Sequence, residues 1–170
     1  LFRNHGRFSR YDDALARSAA TGDPIDLALT RRPMTRIGVH FNLEQELTGN
    51  FGVFARAGIA DGAIEPYDFT DIDRTAQIGA MLHGAGWGRK DDRIGLALIA
   101  NGISAEHRRY LASGGIGVLV GDGKLPDAGA EEIAELFYAL HIAPAFEATV
   151  DAQHIANPGY NRERGPANVL

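Results

Sequence analysis

The chain contains no cysteine, which excludes a disulfide framework, a thiolate zinc site and a cysteine nucleophile together. It has no basic run of five or more residues, and 17 Lys plus Arg against 22 Asp plus Glu leave a formal net charge of -5, so nucleic acid is not an expected partner. No stretch approaches the ~20 apolar residues of a membrane helix; the longest apolar runs, 94–100 and 116–120, are broken by Gly95 and Gly117. That absence says nothing about barrels, whose strands need only ~9 to 11 residues of alternating polarity. Proline, at 7 residues, is unremarkable, so Pro-rich and collagen-like readings fail.

What is present is a 170-residue chain, 45% hydrophobic and 23% charged, with 21 Gly. The length suits one domain or a piece of a larger one, and the composition excludes disorder as the main description. The chain opens at Leu1 without Met or a signal peptide and stops at Leu170, so it reads as a fragment, a single domain over 1–170.

Period-two alternation dominates the sequence. From Arg36, Ile37, Val39, Phe41, Leu43 and Leu47 fall on one face and Arg36, His40, Asn42, Glu44 and Glu46 on the other. After a Thr48-Gly49-Asn50 turn, Phe51, Val53, Ala55, Ala57 and Ile59 continue the apolar phase, and the two segments read as an antiparallel hairpin. Further strands are expected over 75–83, 93–100 and 146–155, with a short start at 167–170. The segment 132–142 fits both helix and strand periods. It reads as a strand because the links then alternate between short (48–50, 84–92, 143–145) and long (61–73, 101–130, 156–166), the pattern of an up-and-down sheet of outer-membrane type. Short helices are expected inside the long links, at 11–20 and at 104–113 with Ser104 as N-cap and Gly114 as stop.

Charge parity sharpens this reading. A charge on the lipid face of a barrel at mid-bilayer costs about 2 to 4 kcal/mol for Arg or Lys, and a charge facing a watery lumen costs little. Arg36, Glu44, Glu46, Arg56, Glu135, Glu147 and Asp151 all share the polar phase. A half-buried soluble sheet also alternates; what favours the barrel is an apolar face with no second set of hydrophobic elements long enough to cover it.

Several motifs then resemble the carboxy-terminal part of the carbohydrate-selective, OprB-type outer-membrane porins: Asn-Leu-Glu-Gln-Glu-Leu (42–47), Gly-Val-Phe-Ala-Arg-Ala-Gly (52–58), Asn-Gly-Ile-Ser-Ala-Glu-His-Arg-Arg-Tyr-Leu-Ala (101–112), Gly-Asp-Gly-Lys-Leu (121–125) and Gln-His-Ile-Ala-Asn-Pro-Gly-Tyr-Asn (153–161). The resemblance implies an all-β, antiparallel transmembrane barrel of about 16 strands, of which this chain supplies about six to eight, with short helices in long extracellular loops. It further implies a bacterial outer-membrane location and passive diffusion of small sugars, with no cofactor and no chemistry. The amino-terminal half of such a barrel and its last strand fall outside the chain, which on this reading is truncated at both ends. Implied partners are small carbohydrates, outer-membrane lipid and lipopolysaccharide, with a monomer or homo-oligomer left open. Alternatives are a soluble β-rich sugar-binding module and a barrel receptor or adhesin.

On this reading the lumen is lined by Arg36, His40, Asn42, Glu44, Arg56, Gln77, His83, Glu135, His141, Glu147, Asp151 and Gln153, a wall of fixed donors and acceptors suited to weak, multi-site binding of hydroxyl-rich solutes. The long 101–130 link is expected to fold inward and narrow the channel, with Arg108 and Arg109 offering donors to sugar oxygens and the apolar strip Ile116 to Val120 beside them. Trp87, Tyr67 and Phe69 fit interfacial aromatic belts. Other chemistries fit poorly. Gly115-Ile116-Gly117 opens no helix, as a dinucleotide loop would. Asp68, Asp71 and Asp73 match no calcium-loop spacing. Glu147 and Asp151, four residues apart on a strand, stand ~13 Å from each other, beyond glycosidase geometry.

Overall fold

The computed structural model describes residues 1–66, 70–117 and 125–170. Eight strands, β1 (Phe2–Phe8), β2 (Arg32–Thr48), β3 (Phe51–Ala60), β4 (Arg74–Gly84), β5 (Arg89–Gly102), β6 (Glu131–Ala143), β7 (Phe146–Ala156) and β8 (Ala167–Val169), form one sheet. Each pairs antiparallel with its sequence neighbour in the order β1 to β8, with β1 and β8 at the edges. Two short helices, α1 (Tyr11–Thr21) and α2 (Ala105–Ala112), lie in the β1–β2 and β5–β6 connections.

Alternation decides the strand identity of the expected segments, including β6, whose helical spacing is overruled because β5 and β7 pair along both of its sides. The hairpin turns at 49–50, 85–88 and 144–145 are short and sit at one end of the sheet, and each closes on a register irregularity, at Glu46/Thr48, His83/Gly84 and His141/Ala143. The helices follow their local signals. Ser104 accepts the His107 N–H at 2.9 Å as N-cap, and Gly114, at φ 95, ends the last turn of α2 with its N–H on the Leu111 carbonyl. α1 closes in the same way on Gly22, at φ 75.

Register places all the apolar rows on one side. Val39 faces Ile59, Leu43 faces Ala55, Ala55 faces Ile78, Ile78 faces Leu98, Leu96 faces Leu136 and Tyr138 faces Val150. These side chains are uncovered: Phe41 is 57% exposed, Ile78 58% and Val150 69%. A soluble sheet would bury this face, and no layer among the described residues covers it. On β2 the polar residues bracketing the apolar run on this face are Thr35 and Gln45, ten residue steps apart. At about 3.3 Å per step and about 40° of strand tilt, the band stands about 25 Å tall, the height of the lipid-facing band of an outer-membrane barrel.

The cluster of buried hydrophobic residues lies in the connections, not beneath the sheet. Tyr11 of α1, Ile103, Tyr110, Leu111 and Leu125 of the β5–β6 connection and Tyr160 of the β7–β8 connection pack together, with Ile25 and Leu27 at their margin. This layer covers the polar face at the long-loop end, where Phe8, Arg36 and Asn101 are buried while Ile37 and Ala100 beside them on the other face stay exposed.

Two features differ from the sequence reading. β1 and the first four residues of β2 are strand, although Arg3, His5 and Arg7 occupy the face where apolar residues were sought, so no hydrophobic alternation marks them. Charge parity holds within the band but not at its borders: Glu132, paired with Ala100 and Ala156, lies on the apolar phase at the long-loop end of β6.

Candidate functional site

The polar face is built of cross-strand rows. His40, Gly58, Thr75, Asn101 and Glu131 form one, Asn42, Arg56, Gln77, Ile99, Ile133 and Ile155 the next, and Glu44, Phe54, Gly79, Ala97, Glu135 and Gln153 a third. Nearer the short turns follow Glu46, Gly52, Met81, Gly95, Phe137 and Asp151, then His83, Arg93, Ala139 and Thr149, and finally His141 with Glu147. His40, Asn42, Glu44, Arg56, Gln77, His83, Glu135, His141, Glu147, Asp151 and Gln153, all expected along the lumen, therefore share one surface.

Its arginines are paired across strands. Arg56 on β3 donates from Nε to Asn42 Oδ1 and from Nη2 to Glu44 Oε1, both at 2.9 Å, and its guanidinium lies 4.8 Å from the centre of the Phe54 ring. Arg93 on β5 grips Glu147 on β7 through Nη2 at 2.8 and 2.7 Å. Gln153 donates to Glu135 Oε2 at 3.0 Å, and Thr75 donates to Asn101, which in turn donates to Glu131. Such fixed pairs leave an array of donors and acceptors, with carboxylates in excess, since Glu46, Glu131, Glu135 and Asp151 share the face without an arginine partner among the described residues.

Three phenylalanines lie flat against this wall, each over the glycine directly opposite: Phe2 over Gly38, Phe54 over Gly79 and Phe137 over Gly95. A Cβ at Gly38, Gly79 or Gly95 would stand 2.2, 2.3 or 2.2 Å from the ring. Glycine at these positions keeps the ring pressed on the sheet, out of the space in front of it. Gly95→Ala should cost about 1 to 3 kcal/mol by overpacking, and adding Phe137→Ala should recover part of that loss in urea unfolding from lipid vesicles; a Gly95→Ala variant of unchanged stability would mean the ring is not seated there.

Arg36 differs from its neighbours. It shares the polar phase but is only 4% exposed, donating from Nη2 to Asp73 Oδ1 at 2.8 Å and from Nε to the Asp61 carbonyl. It is a tie for the loop layer, a correction to its expected place on the lumen wall. Asp73 also accepts the Ser104 N–H at 2.8 Å and the His107 ring at 3.0 Å, and Asp71 stands 3.7 Å from the other ring nitrogen of His107. Tyr11 stacks on that imidazole with centroids 4.4 Å apart. Burial first, then Asp73 and Asp71, push its hydroxyl far above the ordinary phenol range, so it remains neutral. Glu65 fastens a second point, accepting two hydrogen bonds from Arg31 and the Ser9 N–H, each at 2.7 Å.

Arg109 is engaged by Asp12 of α1 at 2.9 Å, and Arg108 donates to the Ser104 carbonyl at 3.3 Å, so α2 spends these donors on the loop layer. At the short-turn end Trp87 donates to Tyr138 at 3.1 Å, and Tyr138 in turn donates to Asp92, which also accepts from Arg89 and the His141 N–H. The expectations placed on Tyr67, Asp68, Phe69, 118–120 and 121–124 lie outside the described residues. Sequence reasoning did not single out Thr75, Arg93, Asn101, Glu131, Phe54 or Phe137; Arg93 and Asn101 were discoverable from the phase of β5, whereas the Phe–Gly pairs needed the register.

No curated protein and no solved structure matches the chain. The profile of the carbohydrate-selective porin, OprB family, matches residues 2–170, and the all-β antiparallel sheet is consistent with it. The chain belongs to the OprB family of carbohydrate-selective porins.

Proposed function

We propose that the protein lets small sugars diffuse passively across the bacterial outer membrane, along the polar face, through a passage narrowed by the layer that α1 and α2 build. The observation that carries this reading is the wall itself: hydroxyl-matching pairs such as Asn42–Arg56–Glu44 and Glu135–Gln153 beside flat rings at Phe54 and Phe137. Sugars are neutral, present donors and acceptors around an apolar ring face, and need many weak contacts that also release them. On this reading His40, Asn42, Glu44, Arg56, Gln77, His83, Glu135, His141, Glu147, Asp151 and Gln153 line the route, and no residue takes part in a chemical step. Arg108 and Arg109 act on the passage by holding α2 in place and do not contact sugar.

Liposome swelling tests the proposal. Vesicles carrying the protein should swell faster in glucose than in a trisaccharide. Arg56→Ala, which frees Glu44 and Asn42 and removes the cation over Phe54, should reduce the preference for glucose over a neutral solute of equal size by about two- to fivefold, the worth of one or two weak polar contacts. Swelling in glucose no faster than in protein-free vesicles would sink the reading.

A further inference from the structure

Apart from Arg89, which pairs with Asp92 beside the short turn, the arginines of the strands divide by face. Arg32, Arg36, Arg56 and Arg93 occupy the polar phase, and each is ion-paired, to Asp13, Asp73, Glu44 and Glu147. Arg3, Arg7 and Arg74 occupy the apolar phase at the long-loop end, where Arg3 faces Ile37, Arg7 faces Pro33 and Arg74 faces Ile59. All three are exposed, and no carboxylate among the described residues lies within ion-pair distance of them. His5, between Arg3 and Arg7 on the same face, holds Thr35 through Nδ1 at 3.0 Å, and Arg7 also donates to the Arg31 carbonyl at 2.9 Å. Arg74 lies across the neighbouring strand, where a Cβ on Gly102 would meet its Nε at 2.7 Å. Among the described residues near this rim, Asp61 turns to the Ala63 N–H at 3.1 Å, and Glu132 sits on β6, two strands beyond Arg74.

We infer that Arg3, Arg7 and Arg74 form a docking site for the phosphate groups of outer-leaflet lipid, at the long-loop end of the apolar face. The inference rests on the reading that this face touches hydrocarbon. Three guanidiniums with no carboxylate partner among the described residues, in a chain of net charge -5, gather at the long-loop end of the apolar face, Arg7 beyond the row of Thr35 and Arg3 and Arg74 in the rows of Ile37 and Ile59, where long stems can carry their heads to the level at which a phosphorylated headgroup meets the acyl region. Arginine suits this task because its planar fork takes two phosphate oxygens at once and its stem packs on apolar neighbours. The occupant is the phosphate of a lipid, because only an acyl-anchored anion would lie at this height against the outer face.

The test uses the protein in detergent micelles, titrated with diphosphorylated lipid A, with the same lipid lacking both phosphates, and with inorganic phosphate. The phosphorylated lipid should raise the thermal unfolding midpoint and the other two should not. Arg3→Gln/Arg7→Gln/Arg74→Gln should bind the phosphorylated lipid about a hundredfold more weakly, at roughly fivefold per cation near the surface. The corresponding triple lysine variant, which keeps the charge, should lose far less, and heat-modifiable migration on gels establishes that each variant is folded. Equal binding of the two lipids, equal stabilisation by inorganic phosphate, or a folded glutamine variant that binds like the parent would overturn the inference. Glucose swelling separates the two readings, since a glutamine variant with intact flux and lost lipid binding supports the site, whereas a parent protein that binds lipid but passes no sugar fails only as a porin.

Discussion

Asp73→Ala is expected to release the loop layer while leaving the strands folded. One carboxylate there receives Arg36 from β2, the Ser104 N–H at the start of α2 and the His107 ring, and all three side chains in the network are at least nine-tenths buried. Removing one member of a buried ion pair costs about 3 to 5 kcal/mol because its partner is left charged and desolvated. The cost falls on the layer, since the sheet keeps its own ladders. Single-channel conductance should therefore rise, and trypsin should cut at Arg108 and Arg109, while the protein still migrates as a folded species before heating. Asp73→Asn, which keeps an acceptor and loses the charge, should fall between. Unchanged conductance and unchanged protease resistance would show that the hydrophobic cluster around Tyr110 and Leu111 holds the layer without the ion pair.

The second large effect concerns adjacent residues on β5. Leu98→Arg should destabilise the protein in lipid vesicles by about 2 to 4 kcal/mol, because Leu98 sits mid-band on the lipid-facing side, 46% exposed and between Ile78 and Ala134. Ala97→Arg, one position earlier, places the same charge beside Glu135 on the polar face and should cost little. Urea titration of both variants in vesicles measures the difference. Similar costs at 97 and 98 would contradict the assignment of faces. The absence of cysteine permits an independent check, since a single Leu98→Cys spin label should collide with dissolved oxygen and not with a polar nickel chelate.

What the sequence disclosed follows the strength of its periodicity. In 36–60 a strict two-residue alternation runs through both strands and one tight turn, and the register Val39–Ile59 and Asn42–Arg56 was implicit in it. β6 was harder, since Ile133, Leu136, Phe137 and Leu140 satisfy a helix equally well; only the need to alternate short and long connections selected the strand, and pairing on both sides supplies the physical reason. β1 gave no signal, because at the border of the band its outward side chains are arginine and histidine. The polar wall was legible as a phase, but its chemistry was not. Arg36 and Arg56 look alike in a strand pattern, yet one is sealed beneath α2 and the other faces open space, a difference set by connections distant in sequence. The Phe–Gly pairs join residues 25 to 42 positions apart, a relation no local pattern contains.

The largest buried cluster of this molecule is assembled from connections and not from strands, and that suggests an order of events. Tyr11, Leu111 and Tyr160 reach one another only from three separate excursions at the same end, so they are expected to meet only once the strands that carry those excursions have paired. The cap is then expected to be the last part of the molecule to form. A time course of protease protection should show Arg108 becoming resistant only after the heat-modifiable form has appeared, and simultaneous protection would reverse that order.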